Sequence, residues 1–310
     1  MAKGKLTISI DLELAWGGWD QLTPEDLRMA ESAERPICTA LLALFERHSV
    51  AATWAMVAAL LDEASARKHP GPTTCWYAPD IVEQITRANV PHEVGSHGGR
   101  HIDLAAADAR DAEADLQFAR QVHDNHALPF RSLVFPRNRV GNFDAVVQAG
   151  LRVYRGRDLG WTSTAYRAGR WAAKAANLAD KALPIPPPPV TAQAHANLIN
   201  LPGSMLLIGR NGPRLFVLPA ITRAKLSMGL SRAIKTGETF HLWFHPSNFY
   251  YRRQEQLDTL AWFLERAAEQ ASHGRIEITT MGSYAPGLST TFRHGQAGRT
   301  SPPATAAPAA

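Results

Sequence analysis

Short apolar runs alternate with amphipathic helical segments along most of this chain, and this alternation constrains the fold more than any other feature. The apolar runs have the length of β-strands, and most of them end in polar residues. The predicted strands lie at residues 6–10, 50–57, 90–95, 131–135, 151–154, within 201–208, and at 240–246 and 276–279. Strands that are separated by helices predict parallel β-α units, in a barrel or a doubly wound sheet. In a barrel the loops after the strands carry the chemistry.

The segments between these strands have apolar residues at helical spacing. Helices are predicted at residues 34–47, 58–67, 79–88, 102–126, 143–149 and 257–270, the fourth with Asp103 as its N-cap. Residues 157–225 have little apolar periodicity and are predicted to form an irregular cap or loop region on the same domain. Residues 286–310 are rich in Gly, Ser, Thr, Pro and Ala, which predicts a disordered tail after a single domain at residues 1–285.

Composition excludes several classes of protein. The chain has 310 residues, 45% of them hydrophobic and 20% charged, as expected of a globular protein with a sizeable core. The chain has 33 Lys and Arg residues and 28 Asp and Glu residues. It contains no run of basic residues of the kind that indicates nucleic-acid binding. The two cysteines do not form a C-x-x-C pair or a disulfide framework. No segment is apolar over the roughly 18 residues of a membrane span, so a cytoplasmic protein is predicted.

Polar side chains with catalytic potential follow several predicted strands. Alternate residues of a strand face the same side, so Asp11 and Glu13 are expected to lie together. Two such carboxylates are costly unless a metal ion, a proton or a cation compensates them. Histidines four residues apart can ligate one metal ion, although solvent-facing loop histidines and a solvated strand end remain alternatives. The residues that follow predicted strands are Asp11, Glu13, His97, His101 and Arg137, and His245 lies at the end of another strand, at the rim.

The ordered set of motifs resembles the polysaccharide deacetylase family, also called the NodB-homology or carbohydrate esterase 4 family. Residues 9–13 (Ser-Ile-Asp-Leu-Glu) resemble its first motif, and residues 92–101, with both histidines, resemble its second. Residues 135–138 (Phe-Pro-Arg-Asn) stand where the third motif is expected, and residues 242–245 resemble the fifth, a Leu-x-x-His. The resemblance spans roughly residues 5–285 and is greatest to bacterial deacetylases associated with surface-polysaccharide synthesis.

This resemblance implies a single distorted (β/α)7 barrel, similar to a TIM barrel, and metal-dependent hydrolysis of an N-acetyl group. By motif position, Asp11 would be the general base, and His245, on the other side of the barrel mouth, would be the general acid. Glu13, His97 and His101 would hold a divalent metal ion, expected to be Zn²⁺, with Co²⁺, Ni²⁺ or Mn²⁺ as alternatives. The substrate would be an N-acetylated sugar, an oligosaccharide or a sugar-carrier compound.

Residues near the third and fourth motifs are assigned to the substrate. Pro136, Asn138 and Trp161 would bind it, and the backbone N–H of Arg137 would stabilise the oxyanion. His241 is expected to be structural.

The chain departs from the family pattern at three of its motifs. The fourth motif is blurred, and Asp158 and Trp161 are the candidates for it. Glu13 stands two residues after the base, where many members have Asp directly after it. Val134 occupies the usual position of an arginine two residues before the motif proline. Arg137 or Arg131 is expected to replace that arginine, and the Arg137 side chain is a candidate to pair with Asp11 and orient it.

Two other functions fit the same residues. Barrels host many reactions, so another amide hydrolase, such as a deformylase or a linear-amide hydrolase, is one alternative. A non-catalytic barrel that binds glycan is the other. The presence of a base, two histidine ligands and an acid in one chain favours an enzyme.

Overall fold

The computed structural model of the protein describes residues 3–158, 179–180 and 182–285. Its strands are β1 (Gly4–Leu12), β2 (Thr53–Met56), β3 (Glu93–Ser96), β4 (Ser132–Val134), β5 (Val153–Arg155), β6 (Gln193–His195), β7 (Leu198–Asn200), β8 (Met205–Leu206), β9 (Thr239–Phe244) and β10 (Ile276–Ile278). Its helices in these ranges are α1 (Pro24–Ser32), α2 (Glu34–Arg47), α3 (Glu63–Ala66), α4 (Pro79–Arg87), α5 (Ala109–Asn125), α6 (Phe143–Gln148), α7 (Pro219–Thr236) and α8 (Arg253–Ser272).

The described strands form one curled sheet. Its order is β6-β7-β5-β4-β3-β2-β1-β9-β8, with β10 beside the first half of β1. The strand pairs are parallel except for β6 with β7. The chain runs directly from β7, which pairs with β5, to β8, which pairs with β9. The N–H of Leu201 donates to Tyr154 O (2.9 Å) and the N–H of Ser204 donates to His241 O (2.8 Å). This α/β fold is consistent with the predicted distorted (β/α)7 barrel.

Strand β1 separates an apolar layer from a polar interior. Leu6, Ile8 and Ile10 are fully buried in the main hydrophobic cluster. The alternating residues Thr7, Ser9 and Asp11 are also buried, and all three make polar contacts. A strand buried on both sides places successive residues in opposite layers. The inside of the sheet therefore carries hydrogen-bonding groups that lead towards the carboxyl ends of the strands.

One helix begins later than predicted. Helix α5 starts at Ala109 rather than near residue 102, because Asp108 caps it by accepting a hydrogen bond from the N–H of Asp111 (2.8 Å). Asp103, the predicted cap, accepts instead from the N–H of Ala105 (3.2 Å) in the preceding turn. Two aspartates of equal capping chemistry were available, and the nearer to the regular apolar pattern begins the helix.

The described part of residues 157–225 contains more regular structure than its sequence indicates. Strands β6 and β7 form a hairpin whose turn residues Ala196 and Asn197 have positive φ values of 50° and 60°. Strands of two or three residues are too short to produce a recognisable alternation. The domain limits 1–285 and the tail 286–310 stay predictions, and residues 286–310 lie outside the described ranges. Among the helices in those ranges, none has the length and apolar character needed to cross a membrane.

Candidate metal centre and active site

Two carboxylates at the end of β1 meet at one histidine. The Nε2 atom of His245 lies 3.4 Å from Oδ2 of Asp11 and 3.4 Å from Oε1 of Glu13. The two carboxylates thus approach a common point, as the alternation predicts. A Cβ atom at Gly17 would come within 2.2 Å of Oε1 of Glu13, so this glycine leaves the space that the glutamate needs.

His97 and His101 converge on the same glutamate. Their Nε2 atoms lie 3.3 Å and 3.2 Å from Oε2 of Glu13. The other ring nitrogen of His97, Nδ1, donates to the backbone oxygen of Val134 at 2.8 Å. In the neutral ring this hydrogen bond places the proton on Nδ1 and leaves Nε2 as the nitrogen that can ligate a metal ion.

The loop that carries both histidines is shaped by a buried aspartate from α5. The carboxylate of Asp115 accepts hydrogen bonds from the N–H groups of Gly99 (2.7 Å) and Arg100 (2.8 Å). A Cβ at Gly99 would lie 2.4 Å from the backbone oxygen of Asp115, so the close approach requires glycine. His101 follows with φ 56°, a left-handed conformation that turns its ring back towards His97. Because of this turn, two histidines four residues apart in sequence can direct their rings to the same point.

These three side chains fit a divalent metal ion. One ligand atom from each of Glu13, His97 and His101 lies within 4.8 Å of the others. Two imidazole nitrogens and one carboxylate oxygen form a donor set of the kind found in catalytic zinc sites, which leave a coordination position open. All three side chains are largely buried, which would limit competition from water. The donor set is therefore chemically suited to a divalent metal ion.

The electrostatics of the pocket favour ionised carboxylates. Burial by itself would raise the pKa of Glu13, but His245 and hydrogen bonds from His101 and His97 hold the pKa well below its usual range. Burial likewise opposes ionisation of Asp11, yet Arg155, His245 and His97 together hold its pKa below the usual value. The pocket is thus arranged around negative charge that cations compensate.

A buried arginine that the motifs did not reveal pairs with Asp11. Arg155 ends β5 and is 1% exposed. Its Nη1 and Nη2 atoms donate to Oδ1 and Oδ2 of Asp11, both at 2.7 Å, in a bidentate ion pair. Its Nη2 also donates to Oδ1 of Asn138 at 2.8 Å. The indole ring of Trp243 covers the guanidinium, with 4.1 Å between Cζ and the ring centre.

A chain of hydrogen bonds supports this arginine from inside the sheet. The hydroxyl of Ser9 accepts from Nη1 of Arg155 at 3.1 Å and lies 2.9 Å from Nε2 of His241. Nδ1 of His241 donates to the backbone oxygen of Pro202 at 3.0 Å, so its Nε2 accepts from Ser9. Burial lowers the pKa of His241 to about 3, which keeps the ring neutral. His241 thus has the structural position expected of it.

The remaining predicted site residues lie in different surroundings. The side chain of Arg137 pairs with Asp20 (2.6 Å) at the mouth of the site instead of with Asp11, because Arg155 already occupies both oxygens of Asp11. Pro136 is buried, and its Cγ would be 3.3 Å from a Cβ at Gly98. Arg137 and Asn138 have positive φ values of 59° and 52°. Trp161 falls outside the described residues.

The position of His245 differs from the expectation that it faces Asp11 across the mouth. Strand β9 pairs directly with β1, from Lys5 with Thr239 to Ile10 with Phe244. His245 follows Phe244 and therefore lies beside Asp11. Its side chain is 23% exposed, at the rim of the pocket.

Comparisons with known proteins identify a family for part of the chain and a shared fold. Residues 23–152 match a family model described as polysaccharide deacetylase. A solved structure from Mycobacterium smegmatis, described as a polysaccharide deacetylase, is similar with a TM-score of 0.62 and 14% identity, covering 91% of this chain and 89% of its own. No match is found among the curated proteins.

Two further solved structures have the same fold. One is described as a polysaccharide deacetylase from Pseudomonas aeruginosa PAO1, with a TM-score of 0.59 and 14% identity. The other is the Puue allantoinase, with a TM-score of 0.59 and 15% identity. Each comparison covers 89% of this chain and 87% of the other. At this level of identity the structures establish the fold alone.

The fold and the site together define an α/β barrel-like protein with a Glu-His-His pocket at the carboxyl ends of its strands. The resemblance to the polysaccharide deacetylase family that the motifs predict is confirmed by the family match over residues 23–152. The match includes His97 and His101, whereas Asp11, Glu13 and His245 lie outside it and join the histidines through the fold.

Proposed function

We propose that the protein is a metal-dependent hydrolase that removes an N-acetyl group from an amino sugar of a glycan or glycan precursor in the cytoplasm. The observation that carries this proposal is the convergence of Glu13, His97 and His101 beside the Asp11–His245 pair. The family match supports a hydrolase that acts on carbon–nitrogen bonds other than peptide bonds.

Glu13, His97 and His101 are the proposed metal ligands, and Zn²⁺ is the proposed ion, with Co²⁺, Ni²⁺ and Mn²⁺ as alternatives. When bound, such an ion would polarise the amide carbonyl and lower the pKa of water in the site. The proton that Nδ1 of His97 donates to Val134 keeps Nε2 available as a ligand atom.

Asp11 is the proposed general base. Its pKa is held below the usual value, so it is ionised at neutral pH and can take a proton from the attacking water. Arg155 fixes the orientation of the carboxylate through both oxygens. A base of this kind contributes about 10²–10⁴-fold to the rate.

His245 is the proposed general acid. Its partly exposed position at the rim suits protonation of the leaving amine when the carbon–nitrogen bond breaks, which yields acetate and the amino sugar. Because its Nε2 lies 3.4 Å from Asp11, the proton that the base accepts has a short path back to the acid. One turnover then consumes one water and leaves the protonation states unchanged.

The remaining roles concern the substrate. The backbone N–H of Arg137 is proposed to stabilise the oxyanion, and Pro136 to form a wall of the substrate site. Because Oδ1 of Asn138 accepts from Arg155, the amide nitrogen is the part of Asn138 proposed to contact substrate. Trp161 is proposed as a stacking surface for a sugar ring.

An acetate-release assay tests this function. Metal-loaded protein is incubated with N-acetylated sugar nucleotides, lipid-linked sugars and oligosaccharides, and acetate is measured against the Asp11→Asn variant. Release by the wild type alone supports the proposal. If no compound in the panel releases acetate, the proposal fails and the glycan-binding barrel is favoured.

A second candidate is hydrolysis of another amide on the same fold. A solved allantoinase has this fold, and a fold does not specify the bond that is cleaved. The same assay with N-formylated sugars and linear amides separates the candidates. Formate or ammonia in place of acetate would identify the second.

Replacement of Arg155 by Gln should shift the pH dependence of hydrolysis. Arg155 holds the pKa of Asp11 down, so its removal should raise that pKa and move the acidic limb of kcat/KM to higher pH. Activity at neutral pH should fall about tenfold or more and partly recover at alkaline pH. Arg155→Lys keeps the charge without the bidentate contact and should be intermediate.

The matched control for this variant is Arg131→Gln. Arg131 is exposed and is one of the two arginines expected to replace the missing arginine of the third motif. This change should leave the pH profile unaltered. An unshifted profile in a folded Arg155→Gln protein would show that Arg155 does not act through Asp11.

A further inference from the structure

Three large apolar side chains are exposed on the loop between β8 and α7. Phe216 is 85% exposed, Leu218 59% and Leu215 44%. They belong to a 3-10 turn, Gly212–Phe216, and to the residues that lead into α7. Because β8 runs parallel to β9, the loop lies at the same end of the sheet as His245. Large apolar groups beside a pocket mouth are a common sign of a binding surface.

The exposed loop is held by buried contacts. Val217, between the exposed residues, is 1% exposed. The buried side chain of Arg210 donates to the backbone oxygen of Leu215 at 3.0 Å and pairs with Glu255 of α8 at 2.7 Å. The side chain of Gln256 donates to the backbone oxygen of Ile208 at 2.7 Å. The fold therefore presents these apolar side chains in a fixed arrangement next to the start of α8.

The surroundings of the loop are basic. Residues 201–237 contain six Lys and Arg and no Asp or Glu, and two of the six, Arg210 and Lys225, are buried and paired with acids. Arg214 is exposed beside Leu215, and Arg252 is exposed where α8 begins, next to Tyr251, which is 44% exposed. Glu255, the acid in contact with the loop, is neutralised by Arg210. We call the set Arg214, Leu215, Phe216, Leu218, Tyr251 and Arg252 the rim patch.

An apolar tip flanked by cations matches the chemistry of an anionic lipid surface. Apolar side chains insert at the boundary between headgroups and acyl chains, and basic residues near the surface are attracted by lipid phosphates. We propose that the rim patch docks the protein on anionic membranes, with Phe216, Leu215 and Leu218 inserted and Arg214 and Arg252 against the phosphates. The barrel mouth then faces the membrane.

Two features favour this partner over another protein. A symmetric contact between two copies would bring each rim patch against its own image, so that two positively charged patches would face and repel each other. The patch is also small, whereas a standard protein interface uses about 20–30 residues on each side. Weak, reversible docking on a charged surface needs no larger area.

Vesicle co-sedimentation of the full chain tests this proposal. Binding should require phosphatidylglycerol in phosphatidylcholine vesicles and should weaken as salt is raised. Phe216→Ser should lower binding about tenfold, since it removes an inserted aromatic ring, whereas Phe216→Trp should retain it. Arg214→Gln should lower binding about fivefold. Arg275→Gln, an exposed arginine just before β10 at the opposite end of the sheet, should have no effect.

Three results would overturn the proposal. They are no binding to phosphatidylglycerol vesicles, equal binding by wild type and Phe216→Ser, and a wild-type dimer in solution that Phe216→Ser converts to a monomer. The third result would identify the patch as an interface between copies. Thermal melting confirms that each variant is folded. Vesicle binding is measured without substrate, so its outcome is independent of the proposed hydrolysis.

Discussion

Replacement of His97 by Ala should leave the purified protein without its divalent ion. His97 contributes one of three ligand atoms, and its ring is fixed by the hydrogen bond to Val134. The two remaining ligands should bind a divalent ion much more weakly. Even the loss of a hydrogen bond to a metal ligand lowers metal affinity by about 10–100-fold. The metal content measured after dialysis should fall from about one ion per chain to a trace amount.

Two histidine variants serve as controls for this measurement. His245→Ala should keep the ion, because His245 contacts Glu13 without being one of the three grouped ligands. His273→Ala, at the exposed end of α8, should also keep it. Unchanged metal content in a folded His97→Ala protein would exclude the proposed ligand set.

The Asp11→Asn variant should retain the metal ion and lose hydrolysis by about 10²-fold or more. Asparagine has the shape of aspartate but cannot take a proton from water. The ion pair with Arg155 is also lost, and an uncompensated buried charge costs about 3–5 kcal/mol. Thermal melting should therefore accompany kcat, measured where the variant remains folded.

Asp20→Asn is the matched control for the base. Asp20 lies at the mouth of the site, where it pairs with Arg137 and is 32% exposed. A partly exposed ion pair contributes little, so this variant should stay within about threefold of the wild type. Asp11→Asn protein that is folded, metal-bound and nearly as active as the wild type would rule out Asp11 as the base.

The grouping of Glu13, His97 and His101 could be predicted from the sequence because its signals are local. Asp11 and Glu13 end an apolar strand, and the histidines follow another, so a parallel sheet brings them to one edge. Motif order added the expected acid. The position of His245 next to Asp11 was not predicted, because it depends on the pairing of β9 with β1, which the motifs do not specify.

Arg155 was missed because its role depends on contacts between distant parts of the chain. Its partner Asp11 lies 144 residues away, and an arginine after a short apolar run is usually solvated. The available signal was weak: Arg155 directly follows the buried Val153 and Tyr154. A buried arginine there requires a carboxylate, but only the strand order identifies which one.

The central position of β1 has a consequence for how this chain is synthesised and folds. One edge of β1 pairs with β2, but the other pairs with β9, and Ser9 meets His241 across 232 residues. During synthesis the second edge of β1 therefore stays unpaired until β9 has been made, when most of the chain is complete. Contacts between residues so far apart in sequence form slowly. The histidine pair and Glu13 are translated within the first third of the chain, whereas His245 arrives with β9. Closure of the sheet and completion of the catalytic group are thus one late step, and an unpaired β1 is the segment most exposed to misassembly before it.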